Sequence, residues 1–207
     1  MTKEKNTFDY IEVANRVLDI ESAAIKDLKG TLNKSFVEAC EACGNCKGKI
    51  IVMGLGKSGH IADKIAATFA STGAPAFFIH PSEAIHGDLG MIDKEDIVLI
   101  LSYSGETEEI VSLIPIIKNM GITLIALTGN KKSKLSNEAT INLNVEVKEE
   151  ACPMNLAPTA STTAALAMGD AIAVALLEEK GFTKEDFAKS HPGGVLGKKL
   201  LLSLGDI

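Results

Sequence analysis

The 207-residue sequence has no tryptophan, and only two tyrosines and seven phenylalanines. Few ring faces are therefore available for stacking against bases. Positive charge is also short: 21 lysines and arginines stand against 27 aspartates and glutamates, a formal net charge of −6. A phosphate backbone or an anionic membrane surface demands a basic face, which argues against nucleic acid and membrane as general partners. The opening stretch MTKEKNTFDYIEVANR has no apolar segment of the kind a secretion signal needs. The longest apolar region, Ala164–Leu177, is broken at its centre by Gly169 and Asp170, and reads as too short and too polar to cross a bilayer. These features point to a soluble cytoplasmic protein. Hydrophobic residues make up 46% of the chain, enough for one sizeable core.

Cysteine is sparse as well: Cys40, Cys43, Cys46 and Cys152. The first three form C-x2-C-x2-C, but the position for a fourth iron–sulfur ligand is Ile50. Leu32, Phe36, Cys40 and Cys43 fall on one face of a helix, so the thiols are expected to pack as small hydrophobes rather than hold a metal.

What is present is a regular alternation. Residues 8–29 and 31–46 read as two amphipathic helices stopped by Gly30 and by GNCKGK. Short apolar runs then alternate with helical segments. The runs lie at 49–54, 74–79, 96–102, 122–127 and 140–145, and the helices at 58–72, 107–119, near 131–138 and about 159–180. Strands apolar on both faces are covered by helices on both sides, and such sheets are parallel. The expected fold is α/β, a doubly wound five-stranded parallel sheet in the order 2-1-3-4-5. One domain is expected, with N-terminal helices over 1–46, an α/β core over 47–181 and a C-terminal segment over 182–207. Ligands of such sheets bind at the carboxyl ends of strands 1 and 3, where the winding direction reverses.

Two loops meet there. GLGKSGH, Gly54 to His60, reads as a dinucleotide turn or as the end of a triphosphate loop, and each reading lacks a required part. The acidic residue that should end strand 2 is missing, since that strand ends at Ile79-His80. The glycine five positions before Gly56 is replaced by Ile51. The second loop, SYSGET, carries Ser102, Ser104 and Thr107 around Gly105, just before a helix. Unpaired N–H groups and the positive dipole end of a helix favour an anion. A helix cap needs one hydroxyl, and three facing Ser58 on the first loop suit a phosphate group.

The segments GLGKSG, STGAPAFFIHPSEAIHGDLGM, SYSGETEEI, KEEACPMNLAPTASTTAALAMGDA and FAKSHPGGVLGKKLL together resemble the sugar isomerase (SIS) family. Within it they are most similar to the D-arabinose 5-phosphate isomerases, which interconvert that sugar and D-ribulose 5-phosphate on the route to Kdo in lipopolysaccharide or capsule. The likeness runs from about residue 10 to the end. It implies a homotetramer, no organic cofactor and a sugar phosphate as small-molecule partner. Longer members continue after a DI like Asp206-Ile207 into a tandem pair of cystathionine-synthase-type modules, which this sequence does not include.

Aldose–ketose isomerisation moves a proton between C2 and C1 through an enediolate, which requires a base, a ring-opening group and donors for the oxyanion. The resemblance places Glu150 as the base, and Glu109 as a second acid–base group or a partner for Lys57. Lys57 is a candidate for the phosphate, for Glu109 or for the enediolate oxygen. His86 sits in a long loop within reach of the sugar. His191, in SHPGG, is the candidate ring-opening group, expected to serve a neighbouring subunit's site. His60 reads as structural, and His80 ends strand 2 away from the reversal point. Thr159, Ser161, Thr162 and Thr163 crowd the start of the last long helix as candidates for sugar hydroxyls. Two alternatives stand beside this reading. One is an isomerase for another phosphosugar. The other is a non-catalytic sensor, which would need the serines but neither Glu150 nor His191.

Overall fold

The computed structural model describes residues 8–191. Pro192, Gly193 and Gly194, expected to hold His191 in a loop, and the Asp206-Ile207 terminus lie outside the described residues. Two helices come first, α1 (Tyr10–Leu28) and α2 (Lys34–Gly44). There follow β1 (Ile50–Gly54), α3 (Lys57–Ser71), β2 (Ala76–Ile79), α4 (Pro81–Ile85) and a 3-10 turn (Asp88–Met91). Then come β3 (Ile97–Leu101), α5 (Glu108–Asn119), β4 (Thr123–Thr128), α6 (Lys134–Glu138), β5 (Ile141–Asn144), α7 (Ala160–Glu179) and α8 (Lys184–Ser190). The five strands form one parallel sheet in the order β2-β1-β3-β4-β5, as the alternating pattern predicted. β1 and β3 pair directly, Ile50 with Ile97 through Gly54 with Leu101, which puts their carboxyl ends side by side.

Alternation along the strands divides the core into two layers. Ile50, Val52, Leu99 and Leu101 face one way, onto Ile65 and Phe69 of α3 and Met168, Ile172 and Leu176 of α7. Ile51, Met53, Val98 and Ile100 face the other way, onto Ile110, Leu113, Ile114 and Ile117 of α5. All ten residues of β1 and β3 are buried. Each fully buried Leu or Ile contributes roughly 1.5–3 kcal/mol relative to exposure. The edge strand β5 departs from the expectation of two apolar faces: Ile141 and Leu143 are buried, while Asn142 and Asn144 are only half-buried.

Three further expectations are corrected. The stretch after β2, read as a loop, contains α4 and the 3-10 turn. Pro81 starts α4 at a position where its missing N–H costs nothing, and His80 Nδ1 accepts from Ser82 N–H at 3.3 Å. Leu32 lies outside α2 and is exposed, because Asn33 caps the helix and starts it at Lys34. The long apolar helix is neither too short nor too polar for a membrane by length and composition: α7 has 20 residues and contains an 18-residue stretch of mean hydropathy 1.6. Its packing makes it a core helix here. It lies against α1, α2 and α3, and Gly169 lets Ile65 approach its backbone. The clustered cysteines pack as anticipated. Cys43 is buried with Phe36 and Cys40 beside it, and burial pushes its thiol up to about 12.

Candidate functional site

A cavity of about 230 Å³ opens at the carboxyl ends of the central strands, lined by Ser58, Ser102, Tyr103, Glu150, Ser161 and Thr162 among others. Five of these were singled out from sequence as site residues: Ser58, Ser102, Glu150, Ser161 and Thr162. They come from three separate segments: the start of α3, the β3–α5 loop, and the stretch from β5 into α7. The walls are largely apolar, with Ile61, Leu101, Leu127, Val145 and Ala165 beneath the polar groups. A few convergent polar groups over an apolar floor is the ordinary form of a small-ligand site.

The helix starts divide into two sets. Asp9, Asn33, His80, Ser133 and Thr183 cap α1, α2, α4, α6 and α8 with their own side chains. The N-cap residues of α3, α5 and α7, namely Gly56, Thr107 and Thr159, make no side-chain cap bond. These three helices start around the cavity. At α3 and α5 the leading N–H groups thus lack the usual side-chain acceptor and suit an anion.

The 102–107 loop is internally braced. Ser102 is buried, and its hydroxyl accepts from Gly105 N–H at 3.2 Å and lies 3.4 Å from the Thr107 hydroxyl. Gly105 adopts φ +65°, and a methyl group there would collide with the Ser133 side chain. Its carbonyl accepts from Leu135 N–H at 3.1 Å, so it contributes backbone shape rather than a ligand contact. Ser104 is exposed, accepts from Glu106 N–H at 3.3 Å, and is not among the residues lining the cavity. The three hydroxyls therefore do not act alike: Ser102 lines the cavity and faces Thr107, while neither Thr107 nor Ser104 is among the lining residues.

Glu150 takes over the cap that Thr159 does not supply. One of its oxygens, Oε2, accepts from Thr159 N–H (2.7 Å), the Thr159 hydroxyl (2.9 Å) and Ser161 N–H (3.2 Å). Burial pushes this carboxyl up, but the Ser161 and Thr159 donors outweigh burial and hold it below the ordinary glutamate value. The side chain is therefore ionised at neutral pH. Its own N–H donates to Asn155 Oδ1 at 2.7 Å. Asn155 holds φ +55°, a left-handed conformation that asparagine tolerates better than most residues.

Other candidates fall elsewhere. The Thr159 hydroxyl accepts from Ala151 N–H (2.8 Å) and donates to Glu150, which leaves it one lone pair, and Thr159 is not among the residues lining the cavity. Thr163 turns away to donate to Glu21 on α1 at 3.1 Å, and Thr162 donates to the Thr159 carbonyl while lining the cavity. Among the described residues, Lys57 is exposed at the start of α3 and forms no ion pair with Glu109, which is half-buried in the first turn of α5. His86 is exposed at the end of α4. His60, read as structural, is exposed on α3, so it has no core role in this chain. His191 ends α8 with its ring stacked on Phe187 at 3.9 Å and its Nδ1 3.0 Å from the Phe187 carbonyl. None of Lys57, Glu109, His86 or His191 lines the cavity within this chain. Sequence reasoning missed Tyr103 and Asn155. Both lie inside segments already quoted, SYSGET and EEACPMNLAPT, where attention fell on the hydroxyls and the acid.

A family model described as SIS domain matches residues 45–175, more than half of the chain. The arabinose 5-phosphate isomerase KdsD of Pseudomonas aeruginosa is 56% identical over 199 residues, covering 96% of this chain. The protein of the same name in Yersinia pestis is 57% identical over 199 residues, again covering 96%. The chain spans about 61% of the length of these curated relatives. A solved structure, that of the E. coli CFT073 protein c3406 in complex with arabinose 5-phosphate, matches with a TM-score of 0.87 and 43% identity, covering 90% of this chain and 100% of that one. On these matches, and with the doubly wound sheet that carries the cavity, the chain belongs to the SIS-domain family.

Proposed function

We propose that this chain is a soluble, cytoplasmic aldose–ketose isomerase that interconverts D-arabinose 5-phosphate and D-ribulose 5-phosphate and so supplies Kdo synthesis. The observation that carries the reading is Glu150, a partly buried, ionised carboxylate in the same cavity as the loop before α5. The names of the relatives and the neighbour bound to arabinose 5-phosphate support the choice of substrate.

The phosphate sits at the start of α5, held by the leading N–H groups and the Ser102 and Thr107 hydroxyls, with Ser58 facing it from α3. Glu150 removes the C2 proton of the open-chain sugar. The electron pair forms the C1–C2 double bond of the enediol(ate), and the carbonyl oxygen at C1 takes up the charge or a proton. Return of a proton to C1, as the C2 hydroxyl gives up its own and becomes the carbonyl, then gives the ketose. One oxygen of Glu150 is fixed by three donors, which orients the other as the proton acceptor. A positioned base of this kind contributes roughly 10²–10⁴-fold.

Ring opening, stabilisation of the enediolate oxygen and the second acid–base role fall to His191, Lys57, Glu109 and His86. His191 reaches the site from a neighbouring subunit, in a homotetramer. The N-terminal helix supports self-association: Tyr10, Ile11, Leu18 and Ile25 of α1 leave apolar surface exposed.

A coupled assay with arabinose 5-phosphate beside ribose 5-phosphate, glucose 6-phosphate and fructose 6-phosphate tests the reading. Turnover of arabinose 5-phosphate well above the others is expected. Binding without turnover of any of them would favour the sensor. Preferred turnover of another sugar would reassign the substrate.

A further inference from the structure

Tyr103 lines the cavity and has no part in the chemistry above. Its phenol oxygen accepts from Val147 N–H at 3.1 Å and lies 3.4 Å from the Val147 carbonyl, to which it donates. Val147 follows β5, where the chain has left the sheet and its backbone groups need partners from elsewhere. One phenol supplies both. The ring lies on Gly129, after β4, where any β-carbon would collide with it, and Gly129 N–H donates to the Tyr103 carbonyl at 2.9 Å. A single side chain therefore joins three segments that leave the carboxyl edge of the sheet. On one side it neighbours Ser102 of the phosphate loop. On the other it grips Val147, three residues before Glu150.

We propose that Tyr103 is a positioning and specificity residue: it sets the span between the phosphate anchor and the general base, and so selects the length of sugar phosphate whose C2 meets Glu150. The inference rests on the isomerase reading. Ser102 lies at the end of β3, and Gly105 behind it is packed against Ser133, so the anchor is rigid. Glu150 lies in an irregular stretch between β5 and α7, whose position relative to the anchor depends on side-chain ties. The Asn155 and Thr159 contacts tie Glu150 to its own stretch and to α7. The Tyr103–Val147 pair ties that stretch to the phosphate loop. Misplacing a reacting group by about 1 Å costs on the order of 10²-fold in rate. A sugar with one extra carbon between phosphate and C2 shifts the reacting carbon by about that much or more.

Tyr103→Phe keeps the ring on Gly129 and removes both bonds to Val147. The test compares wild type and this variant on arabinose 5-phosphate and on glucose 6-phosphate and fructose 6-phosphate, with inorganic phosphate as a competitive inhibitor. The expected result is a fall of about tenfold or more in kcat on the five-carbon substrate, with the inhibition constant for phosphate unchanged. The ratio of five- to six-carbon kcat/KM should fall with it. Tyr103→Trp, which keeps a ring but cannot place the same hydroxyl, should show the same loss of discrimination. A merely structural tyrosine would lower the melting temperature and leave the substrate ratio where it was. That result, or wild-type kcat in the phenylalanine variant, overturns the inference while the isomerase reading stands. A wild-type protein inactive on every sugar phosphate would overturn both.

Discussion

Glu150 and Thr159 are joined twice: the backbone N–H and the hydroxyl of Thr159 both donate to the same carboxylate oxygen, at 2.7 and 2.9 Å. The proposed base is thus also the cap of α7, so its loss has a structural effect separable from its chemical one. Removing a capping side chain costs about 0.5–2 kcal/mol. In a domain of this size each kcal/mol is worth about 2–4 °C. Glu150→Ala should lower the melting temperature by a few degrees. Glu150→Gln retains an acceptor oxygen and should lower it less. Differential scanning fluorimetry of the two variants checks this.

The depressed pKa of Glu150 fixes the sign of its pH dependence. A carboxylate held below its unfolded value contributes stability that is present above the unfolded pKa, near 4.3, and is lost as pH falls through the folded value. The melting-temperature gap between wild type and Glu150→Ala should therefore be constant from pH 6 to 8 and shrink below about pH 4. The same ionisation keeps the base competent across that range.

The phosphate loop separates binding from folding in a second way. Thr107 occupies the N-cap position of α5 without making a cap bond. Thr107→Ala should therefore cost well under the ~1 kcal/mol typical of a lost cap, yet raise KM for the sugar phosphate. Ser104→Ala, outside the cavity, should raise KM less than Ser102→Ala does. Gly105→Ala, unlike Thr107→Ala, should lose stability and binding at once. Left-handed backbone and the collision with Ser133 should destabilise the chain by at least ~1–2 kcal/mol and weaken phosphate binding together. Isothermal titration with inorganic phosphate, beside thermal melts, distinguishes the cases.

His191 and Glu150 do not meet in one chain, which makes complementation informative. Each alanine variant alone should be nearly inactive. Co-refolded oligomers should regain activity if the two residues of a site come from different subunits, because some mixed sites then have both intact. No recovery, with mixed oligomers verified by native mass spectrometry, would place both residues on the same subunit.

The fold was legible wherever a pattern ran long enough. Five consecutive apolar residues in β1 and in β3 marked strands buried on both faces, and the βα alternation fixed the order of the sheet. α4 was not legible, because five residues cover barely more than one helical turn and display no period. Ser58, Ser102, Ser161 and Thr162, suggested by residue type and position, and Glu150, placed by the family resemblance, do line one cavity. Nothing local reveals that a carboxylate nine positions earlier accepts from the hydroxyl of Thr159, which was read as a candidate for sugar hydroxyls. Tyr103 escaped for the same reason on a larger scale: its partner lies 44 residues away, after two more strands.

The most direct test of the account is exchange of the C2 proton in deuterated solvent, followed by NMR on arabinose 5-phosphate. Wild-type protein should incorporate deuterium as ribulose 5-phosphate forms, and Glu150→Gln should slow both by roughly 10²-fold or more with substrate affinity nearly unchanged. Absence of exchange with wild-type protein, or exchange at the wild-type rate in Glu150→Gln, would contradict it.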